Sequence, residues 1–201
     1  MIDPCNITKF NQTKNQLEEV LLFWILASGK NAKTSAKCLE NLLEIMKDWH
    51  KQIYVDKTFT YFQMIKNMHE FYQENSPSWL SHLMKRSGVG CYSNKSLGFV
   101  ELAYSDLDLK TCSPEDLEKI RGIGSKTSRA FLIHSRPNQQ HACLDVHLLR
   151  FMRDLGYDVP INTPTGKKYK QIEQLWLKLA SKSGMSLAEY DLTIWRKYSG
   201  N

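Results

Sequence analysis

Absences narrow the field first. The five cysteines, Cys5, Cys38, Cys91, Cys112 and Cys143, include no C-x2-C pair and no cluster spacing, which leaves no basis for a structural zinc or an iron–sulfur centre. Their odd number and wide scatter suit reduced thiols in an intracellular protein. No apolar run approaches the roughly 20 residues of a membrane span. The amino terminus MIDPCNITKF lacks the basic-then-apolar order of a secretory signal, so a soluble protein with no membrane partner is expected. Internal repeats, low-complexity tracts and long linkers are missing as well. So is the polar/apolar alternation of amphipathic strands, KQIYV at 51–55 being the best candidate for one short strand. An all-α fold is expected.

What is present supports a substantial core: 201 residues, 42% of them hydrophobic, fit one domain or two small lobes. A formal charge of +6 and a pI near 9.0 favour a polyanionic partner without identifying it.

Apolar residues recur at helical spacing along most of the chain. Leu17, Val20, Leu21, Trp24 and Ile25 form one stripe, ending near Gly29. Cys38, Leu39, Leu42, Leu43 and Met46 form a second, and Phe62, Ile65, Met68, His69 and Tyr72 a third. Further helices are expected from Ser76 with Pro77 at the first helical position, after the Gly88/Gly90 turn, and from a Ser113 cap followed by Pro114. Asp145 opens a helix that stops at Gly156, NTPTGKKY is a turn before KQIEQLWLKLASKSG, and Ser186 with Glu189 forms a capping box for the last helix.

One stretch concentrates unusual chemistry. LEKIRGIGSKTSRAF places Gly122 and Gly124 around Ile123 between two helical patterns. Glycine there tolerates positive φ and close backbone approach, and amides at the start of the next helix suit a phosphate. The stretch resembles a helix-hairpin-helix motif, which grips DNA phosphates without reading sequence. Lys126, in the first turn of the second helix, is by itself a solvated charge, a phosphate contact or a nucleophile. The positive end of a helix dipole disfavours its ammonium form, which suits the last of these. Asp145 is by itself an N-cap. Opposite Lys126, its carboxylate would stabilise positive charge developing on a sugar as a base departs.

Together, GIGSKTSRAF and LDVHLLRFM resemble the helix-hairpin-helix–Gly/Pro–Asp (HhH-GPD) superfamily of DNA glycosylases, which includes endonuclease III and the 8-oxoguanine DNA glycosylases. Lys126 stands where the family has its Schiff-base lysine and Asp145 where it has its aspartate. The intervening Gly/Pro-rich segment is reduced to SRPNQQHACL, with Pro137 its one proline or glycine. LMKRSGVGCYSNKSLGFVELA and LLFWILASGKNA are similar to the family's upstream segments, and TPTGKKY with SLAEYDLTIW to the carboxy end of the thermostable 8-oxoguanine group.

The resemblance implies a two-lobed helical fold, with a central lobe of residues 25–136 holding the hairpin and a second lobe of 1–24 plus 137–201. Lys126 would come from one lobe and Asp145 from the other. It implies a bifunctional glycosylase/AP lyase of base excision repair that flips out 8-oxoguanine, forms a lysine Schiff base and cleaves by β-elimination. Endonuclease III-like action on oxidised pyrimidines, or a non-catalytic DNA-binding module, are the alternatives. No metal or organic cofactor is expected; duplex DNA containing an oxidised base is the partner, and the protein a monomer acting with DNA inside the cell.

Base recognition is expected from Asp191 and Trp195, four apart on one helix face. Asp191 could accept from the N1–H and amino group of a guanine-type edge. Ala130 stands where some relatives place a stacking side chain, so a second stacking face would fall to Trp24 or Phe131. Gly122, Ile123, Gly124, Ser125 and Thr127 are expected to bind DNA, and Lys30 and Asn31 to fill the hole left by the flipped nucleotide. His134 and His147 are read as structural, and Lys167, Lys168 and Lys170 as phosphate contacts or solvated charges.

Overall fold

The computed structural model describes residues 1–55, 57–72 and 78–199, and among these every regular element is helical. A 3-10 turn at Pro4–Asn6 precedes α1 (Lys14–Ala27), α2 (Ala32–Ile53), α3 (Tyr61–Tyr72), α4 (Trp79–Arg86) and α5 (Tyr92–Tyr104). The short α6 (Pro114–Leu117), α7 (Ser125–Ser135), α8 (Val146–Asp154), α9 (Gly166–Ala180) and α10 (Leu187–Tyr198) follow. The expected helix start at Ser76 and Pro77 lies outside the described residues. KQIYV is no strand: α2 runs through Ile53, and the Tyr54 N–H closes its last turn on the His50 carbonyl. α9 begins at Gly166, inside the stretch read as a turn.

The chain divides into two compact units, Met1–Pro4 with Gln12–Ile123, and Cys5–Asn11 with Gly124–Asn201. α1 joins the first unit because α2, α3 and α5 pack around it. α7 joins the second because Arg129 pairs with Glu173 of α9 and His134 with Asp191 of α10. Lys126 and Asp145 both fall in the second of these units.

In the first unit, α1 is the central rod. A single apolar stripe was expected, yet Leu21, Leu22, Phe23, Ile25 and Leu26 are all 2% exposed or less, so the buried face extends well beyond one stripe. Its polar residues serve its neighbours: Asn15 and Glu18 accept from the Tyr61 and Phe62 amides at the start of α3. At its other end, Ser35 and Lys95 donate to the Leu26 carbonyl, answering an acceptor that helix geometry leaves unpaired.

The second unit packs Leu144, Leu148, Leu149 and Met152 against Tyr169, Ile172, Trp176 and Ile194. The Trp176 and Tyr190 rings stack with centroids 5.0 Å apart. The segment Cys5–Asn11 is tied in by Arg196, which donates to the Cys5 carbonyl, and by the Lys9 N–H, which donates to the His134 carbonyl.

Candidate active site

The glycine turn is built as its residues require. Ser113 and Asp116 form a reciprocal capping box over α6, and Pro114 takes the first helical position. The Ile123 N–H then bonds to the Ile120 carbonyl, and Gly122 adopts φ +83°, a backbone that L side chains rarely take. Ile123 buries its side chain while Gly122 and Gly124 stay exposed. Sequence reasoning missed Gly98 of α5, where a Cβ would lie 2.2 Å from the Arg121 carbonyl oxygen. The turn's backbone rests directly on that helix.

Gly124 caps α7 without a side chain, so Lys126 sits in a first turn whose amides have no intrahelical acceptor. Lys126 and Ser125 are half-buried and Thr127 is buried.

Asp145 caps α8 through one oxygen, Oδ1 accepting from the His147 and Leu148 amides at 2.9 and 2.8 Å. Among the described residues no donor reaches Oδ2. Burial raises the carboxyl's proton affinity and the charge of Asp191 raises it further, while Lys126, the Leu148 N–H and His147 work in the opposite direction. Cys143, two residues earlier, has its thiol pushed well above the usual range by burial and by Asp191, with Lys126 opposing. Lys126 and Asp191 thus both act electrostatically, in opposite directions, on Asp145 and on the Cys143 thiol.

Asp191 is 9% exposed, with Oδ2 3.2 Å from Nε2 of the buried His134. His134 Nδ1 lies 2.7 Å from the Thr8 hydroxyl. This Thr8–His134–Asp191 chain was not foreseen, and it holds the carboxylate by one oxygen. Trp195, one turn along α10, is half-buried. His147 meets the Tyr198 carbonyl at 3.2 Å, so both histidines do serve within the unit.

Of the two stacking candidates, Phe131 is fully enclosed, with the Arg136 guanidinium 5.9 Å from its ring centre. Trp24, half-buried, belongs to the first unit. Asn31 caps α2 by accepting from the Thr34 amide, while Lys30 is exposed beside Gly90. Among the described residues no three His, Cys, Asp or Glu side chains gather where they could hold a metal ion, and no helix is long and apolar enough to cross a membrane.

No family model matches the chain, and no solved structure does. One curated relative, from Picrophilus torridus and named 8-oxoguanine DNA glycosylase/AP lyase, is 32% identical over 79 residues. That stretch covers 39% of this chain and 37% of the relative. The relationship is distant and partial.

Proposed function

We propose that this chain is a bifunctional DNA glycosylase/AP lyase of the HhH-GPD kind that excises 8-oxoguanine from duplex DNA. The observation that carries the proposal is that one unit holds both Lys126, in the first turn of α7 just after the glycine turn, and the half-buried Asp145 capping α8 through Oδ1. The name of the Picrophilus torridus relative supports the reaction class, and the basic charge supports the polyanionic substrate.

In this reading the turn 122–124 and the amides opening α7 bind backbone phosphate. The target nucleotide leaves the stack, and Asp191 and Trp195 receive its base, the carboxylate accepting from N1–H and the exocyclic amine. The Lys126 amine attacks C1′ and the glycosidic bond breaks. The Asp145 carboxylate stabilises the cationic sugar as electrons leave with the base. Loss of the ring oxygen's bond to C1′ gives a Schiff base, and removal of a C2′ proton expels the 3′ phosphate. These steps use side chains alone.

Borohydride reduction traps such a Schiff base as a stable amine. Incubating the protein with duplexes containing 8-oxoguanine, thymine glycol or no lesion should give an adduct with 8-oxoguanine, and Lys126→Gln should abolish both the adduct and strand cleavage. Capture on thymine glycol alone would move the substrate to oxidised pyrimidines. Full cleavage by Lys126→Gln would remove the lysine mechanism, and binding without base release by any assay would leave a DNA-binding module.

A further inference from the structure

We infer that Tyr169, Glu173 and Thr163 are positioning residues that hold Asp145 in register with the Lys126 helix, an inference that rests on the glycosylase reading. The segment leading into Asp145 is extended and enclosed: Ala142, Cys143 and Leu144 are 0, 4 and 0% exposed. Backbone groups buried in this way need partners, and among the described residues there is no neighbouring strand to supply them.

Side chains supply them instead. The Ala142 N–H donates to Glu173 Oε1 at 3.0 Å, and the Ala142 carbonyl accepts from the Tyr169 hydroxyl at 2.6 Å. The same hydroxyl accepts from the Leu144 N–H at 3.2 Å, and the Leu144 carbonyl accepts from Thr163 Oγ1 at 3.0 Å. The Asp145 N–H then closes on the Cys143 carbonyl at 2.7 Å. Both groups of Ala142 and both of Leu144 are thus fixed by α9 and the loop before it.

Glu173 also joins this segment to the nucleophile's helix. Its Oε1 accepts from Arg129 Nε at 2.9 Å, in a pair only 4 and 7% exposed. Arg129 lies three residues beyond Lys126, donates to the Ser125 carbonyl at 3.3 Å and the Ser128 hydroxyl at 3.2 Å, and lies over the Tyr169 ring at 4.9 Å. Although burial works against ionisation, contacts from His141, the Ala142 N–H and Arg129 hold the Glu173 carboxyl below the usual range. One carboxylate oxygen therefore ties α7 to the segment that ends in Asp145.

A polar clamp fixes where Asp145 sits, and displacements of about 1 Å at a reacting centre cost on the order of 100-fold in rate.

The test compares the wild type with Tyr169→Phe and Thr163→Val, each of which removes a hydroxyl and keeps the side chain's shape. Three quantities are read: single-turnover release of 8-oxoguanine, borohydride capture at a preformed abasic site, and alkylation of Cys143 followed by peptide mass spectrometry. An abasic site has no glycosidic bond to break and so passes through no oxocarbenium-like transition state, and capture there should be unchanged. Base release should fall on the order of 10- to 100-fold in Tyr169→Phe, and Cys143 should react faster in both variants. Wild-type release rates in both variants, with Cys143 as protected as before, overturn the clamp. Parallel loss of release and abasic-site capture overturns it too, as general damage. A wild type that releases no base overturns the glycosylase reading itself, before the variants are compared.

Discussion

At the scale of single residues, the proposed function gives Asp145 a second job beside its helix cap, and the demands of the two differ. As the cap of α8 it needs an acceptor oxygen, which asparagine supplies about as well as aspartate. As a stabiliser of positive charge it must ionise, against burial and against Asp191. A carboxyl with raised proton affinity in the folded state holds its proton there longer than in the unfolded chain. Folding stability from this group is then fully present below the ordinary carboxylate range, near 3.9, and is lost as pH rises through the raised value. Asp145→Asn keeps the cap and removes that loss. The variant should melt at a higher temperature than the wild type at pH 7.5, with the difference closing below about pH 4, and it should release no base. Thermal denaturation across pH checks this, and an Asn variant less stable at neutral pH would show that capping charge outweighs the cost of burial.

At the scale of elements, helices were legible where local chemistry marks their ends: the capping boxes at Ser113 and Ser186, and the stop at Gly156, φ +86°. α9 was read late because Thr165 caps it without a side-chain bond and Gly166 opens it at φ +56°. Lys126 and Asp145 could be picked out because each sits at a marked helix start. Arg129–Glu173 and His134–Asp191 could not, being 44 and 57 residues apart, although Glu173 left a trace as the one charge among buried Tyr169, Ile172 and Trp176. Gly98 left none, since its constraint comes from the Arg121 carbonyl. Replacing a mid-helix glycine by alanine ordinarily stabilises by about 1 kcal/mol. Here the added carbon would fall 2.2 Å from a backbone oxygen, and overpacking of that kind costs about 1–3 kcal/mol. The clash should win: urea denaturation of Gly98→Ala should show a net loss, and a gain would mean the turn yields freely.

At the scale of the whole molecule, the charge is unevenly shared. The unit formed by Cys5–Asn11 and Gly124–Asn201 holds 13 of the 27 Lys and Arg but 6 of the 21 Asp and Glu, so it is basic by 7 while the rest is acidic by 1. The basic excess thus lies with Lys126 and Asp145. Part of it is placed at a cost. Lys167 and Lys168 are exposed in the first turn of α9, which contains no acid, and cations at that end of a helix lose about 0.3–1 kcal/mol each. Phosphate contact would explain why they are there. Each phosphate neutralised contributes about 0.9 to the slope of log affinity against log salt. Replacing both lysines by alanine should therefore weaken duplex binding, lower that slope by roughly 2, and raise the melting temperature of the free protein. A slope unchanged in the double variant would assign these two charges to solvent, and the basic excess of this unit would have to reach DNA through other side chains.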